Sequence, residues 1–132
     1  INQGRRNIEV EIGRVKKKME AGAQFFLTQP VFTKEDGDRL RRFKEETGAR
    51  ILCGIMPLIS RKNAYFMKNE IAGVNVTEEI VARYPENASR EEGEAVGIEL
   101  AKEIIAYTDD FVDGYYFSFP FNRVYMLEKI LK

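Results

Sequence analysis

The side chains equipped for chemistry in this chain are amides, carboxylates and cations, because histidine is absent and cysteine occurs once, at Cys53. The usual zinc sets cannot form from such a composition, and one cysteine leaves no internal disulfide framework. Cys53 lies in an apolar run with no base beside it, which reads as a small buried hydrophobe rather than a nucleophile. Glu11, Arg14 and Lys18 are spaced so that one face of a helix can carry all three, and the commonest fate of such a face is a solvated ion-pair surface. Gln29 ends an apolar run just before Pro30, and its amide can both donate and accept, which suits either a ligand or the tying down of a neighbouring loop. Arg123 offers a planar guanidinium suited to carboxylates and stacked rings, whereas Asn122 beside it is expected to cap the following helix. The carboxylate pairs Glu91–Glu92 and Asp109–Asp110 fall at helix starts or turns and read as solvated caps, so no hydrolase constellation emerges.

These residues need a scaffold, and the apolar pattern supplies one. Ile8, Ile12, Val15 and Met19 recur at helical spacing, predicting an amphipathic helix over about 8–20 that Gly22 closes. The run 25–29 is apolar, short and not alternating, which predicts a strand buried on both faces. Thr33 is placed to cap a helix over about 34–47 that Gly48 stops, and Ile51 to Met56 form a second continuous apolar strand ended by Pro57. Ser60 offers a cap for a short helix through about Met67, Thr77 opens another, and a longer amphipathic helix runs over about 91–107. Asp113–Gly114 turns the chain into a third strand at 115–119, and 122–131 reads as a closing helix. Helices separating continuous apolar strands favour a parallel sheet with right-handed crossovers, in which ligands collect at the carboxyl ends of the strands. Gln29, Pro57 and the segment 118–123 stand at those three ends.

Size and charge narrow the function classes. With 132 residues the chain fits one domain or part of one, well short of the about 250 residues of a complete (β/α)8 barrel. Three strands cannot close a barrel, and unpaired sheet edges predict pairing with further sequence or with another chain. A start at Ile1 rather than Met is read as a cut from a longer chain. Lys and Arg total 21 against 21 for Asp and Glu, so no global field favours nucleic acid. No apolar run suggests a membrane span or a signal peptide, and a cytoplasmic protein is expected.

The phrases Glu20-Ala-Gly-Ala-Gln-Phe-Phe-Leu-Thr-Gln-Pro-Val-Phe32, Gly54-Ile-Met-Pro-Leu58 and Pro120-Phe-Asn-Arg123 resemble, in order, the last three strand ends of the methylenetetrahydrofolate reductase family. The resemblance spans nearly the whole chain. It implies the C-terminal portion of a (β/α)8 TIM barrel, about three parallel strands with flanking helices, with residues 1–132 forming a single partial domain. It also implies an FAD enzyme in which NAD(P)H reduces the flavin and the flavin reduces 5,10-methylenetetrahydrofolate to 5-methyltetrahydrofolate, the cofactor doing the hydride chemistry. Within that family Gln29 matches the glutamine that meets the pterin and the nicotinamide. Lys18, with Glu11 and Arg14, matches the helix that meets the FAD phosphates and ribose, a lysine acting there as a point charge. Arg123 matches the residue reaching the folate side, and Phe119, Phe66 and Met67 fall near positions that place apolar groups against the aminobenzoyl ring, although aromatic residues in such elements are more often core.

The family's acids near the flavin ring and at the folate's methylene bridge belong to earlier strands and match nothing here. The resemblance therefore assigns no catalytic residue to the chain and predicts that alone it has little turnover, its partners being the folate substrate, the missing N-terminal part of the barrel and further copies in a homo-oligomer. Asn2-Gln-Gly-Arg-Arg-Asn7 also resembles members fused behind a homocysteine methyltransferase domain. Two other readings compete. One is a non-catalytic half-barrel that serves association; the other is a different phosphate-binding barrel enzyme, disfavoured because no glycine-rich loop follows the last strand.

Overall fold

The computed structural model describes residues 1–132. The chain order is α1 (Ile8–Glu20), β1 (Phe26–Pro30), α2 (Lys34–Thr47), β2 (Ile51–Ile55), α3 (Arg61–Glu70), α4 (Glu78–Ala82), α5 (Arg90–Thr108), β3 (Gly114–Phe117), a 3-10 turn (Pro120–Asn122) and α6 (Met126–Leu131). The strands form one parallel sheet in the order β1-β2-β3, as the alternation of apolar strands and helices predicts. This is an α/β architecture of the kind found in part of a TIM barrel.

Local chemistry sets the boundaries. The side chains of Thr33, Ser60 and Thr77 accept the N–H groups of Asp36, Asn63 and Ile80, occupying donors that the first helical turn leaves free. Ser89 and Glu92 form a reciprocal capping box at the start of α5. At the other ends, Gly22 and Gly48 take φ values of 110° and 67°, a left-handed region that other residues enter at a cost.

The main core lies between one face of the sheet and the helices α1, α2, α5 and α6, built on Phe26, Ile51, Cys53 and Ile55 against Ile12, Val15, Leu40, Phe43, Ala101, Ile104 and Ile130. A second core of Phe32, Leu58, Ala64, Met67, Val76, Ile80, Val81 and Tyr84 sits where α3 and α4 cover the loops that leave β1 and β2. The loop after β2 lies against α5, where Gly93 and Gly97 bring the helix directly onto the backbone of Ile59 and Leu58.

Three expectations require correction. Strand β1 is buried on one face only: Phe26 and Thr28 face the helices, while Leu27 is 50% exposed and Gln29 is also exposed. No element covers the second face, which in a closed barrel is filled by layers of inward side chains. The third strand ends at Phe117 rather than 119. Asn122 does not cap the last helix: it takes φ 57° after Phe121 at φ 54°, and α6 begins only at Met126 with no side-chain cap.

Candidate functional site

The end of β1 is shaped by an irregularity. Its register with β2 shifts between Leu27 and Pro30, and the hydroxyl of Thr28 accepts the N–H of Gly54 at 2.9 Å, so a side chain stands in for a ladder carbonyl. Irregularities of this kind re-aim side chains near functional sites. Tyr116, on β3, reaches across β2 and donates from its hydroxyl to the carbonyl of Thr28. That crossing requires glycine at 54, because a Cβ there would lie 2.5 Å from the Tyr116 hydroxyl. The glycine, the threonine and the tyrosine thus lock the strand end from which Gln29 projects.

Gln29 is held by its backbone alone. Its N–H donates to the carbonyl of Ile1 at 3.0 Å and to Gln3 Oε1 at 3.1 Å, and its carbonyl accepts from Gln3 Nε2 at 2.8 Å. The amide that ties down the strand end is therefore the fully buried Gln3, while the side chain of Gln29 is exposed. Sequence reading missed Gln3; its position beside a weakly patterned N-terminus gave no signal of burial. The amino group of Ile1 donates to the carbonyl of Leu27 at 2.7 Å, which with the Gln29 bond gives the spacing of a parallel ladder along the outer edge of β1.

Along α1, Glu11 is buried with its Oε2 lacking any partner, whereas Arg14 and Lys18 are exposed. Glu11 and Lys18 both lie close enough to the nitrogen of Ile1 to act on it electrostatically. The structure thus gathers Glu11, Lys18 and the edge of β1 in one region, with Arg14 on the adjoining solvent side.

The end of β3 is a second centre. Phe119 stacks on Phe117, with ring centroids 6.0 Å apart, and packs against the main core. Arg123 follows the left-handed pair Phe121–Asn122 and donates from Nη1 to Glu94 Oε1 at 3.0 Å, an oxygen that also accepts from Arg90 Nε at 3.3 Å and from the hydroxyl of Tyr125. Burial works to raise the pKa of Glu94, but the hydrogen bonds from Tyr125 and Arg90 and the charges of Arg123 and Arg90 prevail and hold it below the ordinary glutamate value. Arg123, Arg90, Arg61, Lys62, Ser60 and Ser89 line one cleft of about 260 Å³ at the first turns of α3 and α5. On α3, Phe66 is 53% exposed and Met67 belongs to the second core. Gln29 and Arg123 leave opposite edge strands of the sheet, so the site spreads along the row of strand ends rather than forming one compact pocket.

Two groups expected to be inert are so placed. Cys53 is fully buried, its thiol pushed up to about 12 by burial against the opposing hydrogen bonds of Thr108 and Thr28, which leaves no thiolate for chemistry. Asp110 is bound by both Nη atoms of Arg41 on the surface. No helix is long and apolar enough to cross a membrane.

The family model described as methylenetetrahydrofolate reductase matches residues 2–126, which takes in every candidate residue above. Among solved structures, an uncharacterized protein from Clostridium thermocellum that binds two copies of 5-methyl-5,6,7,8-tetrahydrofolic acid is similar, with TM-score 0.59 and 17% identity over 92% of this chain and 46% of that one. At that identity the likeness speaks for the fold, and this chain spans less than half the length of that neighbour. No curated protein matches the sequence.

Proposed function

The chain belongs to the methylenetetrahydrofolate reductase family, and from that premise we propose that it forms the C-terminal portion of an FAD-dependent reductase of 5,10-methylenetetrahydrofolate, contributing parts of the flavin and folate sites. The observation that carries this reading is the family match over residues 2–126, because it includes all three strand ends in order. FAD would supply the hydride relay between NAD(P)H and the folate. The residues of α1 fit such a group: Glu11 keeps a buried carboxylate oxygen without a partner, suited to a ribose hydroxyl, and Lys18 is an exposed cation suited to a phosphate. Gln29 would bind the flat ring systems through an amide that no loop has claimed, held in place by Gln3, Thr28 and Tyr116 behind it. Arg123 would meet the folate from β3, with Phe119 and Phe66 as apolar surface and Met67 supporting α3 from the core. Upstream residues, rather than those of this chain, would supply the acid chemistry. The open face of β1 supports a neighbouring portion of barrel as partner, and the reading carries the homo-oligomer and the cytoplasmic location expected of the family.

The test is a titration of FAD, followed by flavin fluorescence, with Lys18→Ala in parallel. Losing one charge-assisted phosphate contact is expected to raise the half-saturating FAD concentration about tenfold. Equal affinity of the two proteins would remove Lys18 from the flavin site. The absence of any FAD binding by a protein that includes the upstream barrel would remove the flavin reading altogether.

A further inference from the structure

The loop after β3 adopts a conformation that its own sequence does not favour. Phe121 and Asn122 are consecutive left-handed residues; asparagine enters that region readily, whereas a bulky aromatic such as Phe121 stays there only when its surroundings hold it. The sole carboxylate drawing on this loop is Glu94, in the second turn of α5. Its Oε1 gathers three donors: Arg123 Nη1 at 3.0 Å, the Tyr125 hydroxyl, and Arg90 Nε at 3.3 Å. The side chain of Glu94 is 7% exposed and that of Arg123 18%, so this pair is shielded from water in a way that the surface ion pairs of the molecule are not.

The carboxylate is also fixed in place. Gly93 and Gly97 flank it, and Cβ atoms at those positions would stand 2.0 Å and 2.1 Å from the carbonyl oxygens of Ile59 and Leu58. Helix α5 is therefore pressed on the loop after β2 at the same turn from which it grips the loop after β3. Glu94 takes only Nη1 of Arg123, and a guanidinium carries further donors that stay available toward the basic cleft.

We propose that Glu94 is a positioning residue for Arg123: it holds the loop 121–123, with its left-handed pair Phe121–Asn122, so that the remaining guanidinium donors face the folate, while itself touching no substrate. This rests on the reading that Arg123 meets the folate. It differs from a purely structural role because the carboxylate orients one cation at the site rather than stabilising the fold at large.

The experiment uses the full-length protein carrying this chain and 5-methyltetrahydrofolate as the probe, with Kd for the folate and for FAD measured on Glu94→Gln, Arg123→Ala and the double variant. Glutamine keeps the volume and removes the charge that gathers the three donors. Arg123→Ala is expected to raise the folate Kd about tenfold and Glu94→Gln about fivefold, with the double variant no worse than Arg123→Ala and FAD affinity unmoved. A folate Kd unchanged by Glu94→Gln but raised by Arg123→Ala overturns the role of Glu94 and leaves the folate reading standing. A folate Kd unmoved by Arg123→Ala overturns both. Folate and FAD affinities falling together in Glu94→Gln mark a structural role only and also overturn the proposal. If Glu94→Gln does not fold, Glu94→Asp keeps the charge but withdraws it by one methylene; about a threefold rise in folate Kd supports the proposal, and an unchanged Kd overturns it.

Discussion

Gly97→Ala is expected to destabilise the protein by about 2 kcal/mol, although the same exchange inside an exposed helix gains about 1 kcal/mol. The sign reverses because of what the new methyl group meets. A Cβ at 97 would lie 2.1 Å from the carbonyl oxygen of Leu58 and 3.2 Å from its carbon, both backbone atoms that cannot rotate away. That oxygen already accepts the buried hydroxyl of Tyr84 at 2.8 Å. Two responses are open. Helix α5 can withdraw, loosening Ala101 and Ile104 from the main core, or the loop can move and strand the Tyr84 hydroxyl. Overpacking costs about 1–3 kcal/mol and a lost buried hydrogen bond about 1–3 kcal/mol, so either route outweighs the gain in helix propensity. Urea denaturation of Gly97→Ala beside Gly13→Ala decides the matter. Gly13 lies in α1, where an added Cβ would meet nothing within 4 Å, so alanine there is expected to stabilise by about 1 kcal/mol. Two stabilised variants would mean that α5 does not press on the strand-end loop, and the anchoring of Glu94 would lose its footing.

How far the fold could be read beforehand depends on the range over which each feature is decided. Caps are local: Thr33, Ser60 and Thr77 satisfy donors three residues away, and Gly22 and Gly48 end helices through their own φ, so all five were legible. The parallel sheet was legible because crossover helices leave a repeated pattern. The half-open face of β1 was not, since an apolar run records what a strand can bury and not whether a neighbour is there to bury it; Phe25 and Leu27 are apolar yet 59% and 50% exposed. Asn122 was misread because its type suits a cap, whereas the contacts of Arg123 and Tyr125 with Glu94, 29 and 31 residues earlier, set the loop. At the candidate site, family phrases singled out Gln29 and Arg123, but not Gln3, Tyr116 or Glu94. Each of these acts through a partner distant in sequence, Tyr116 bonding a residue 88 positions away, and no local spacing announces that.

Asp36→Asn carries the second large effect, this time toward greater stability, and pH separates its causes. Asp36 sits in the first turn of α2, 2% exposed, with Oδ2 lacking any partner. Burial pushes its carboxyl up to about 6, with Glu35 adding to the rise and the charge of Arg39 and a hydrogen bond from Asn75 opposing it. An acid whose folded pKa exceeds its unfolded value binds more protons when folded, so stability falls as pH rises from about 4 to about 6 and stays lower above that window. A shift of about two units corresponds to about 3 kcal/mol. Part of the gain from removing the charge is returned, because a carboxylate in the first helical turn contributes about 0.3–1 kcal/mol through the helix dipole. The balance leaves Asp36→Asn about 2 kcal/mol more stable than the native chain at pH 7.5, with the advantage shrinking to nothing near pH 4. Denaturant titrations of both proteins across that range measure it. If the asparagine variant is instead the weaker at pH 7.5, attraction to Arg39 outweighs burial, and Asp36 is ionised in the folded protein at a lower pH than its burial implies.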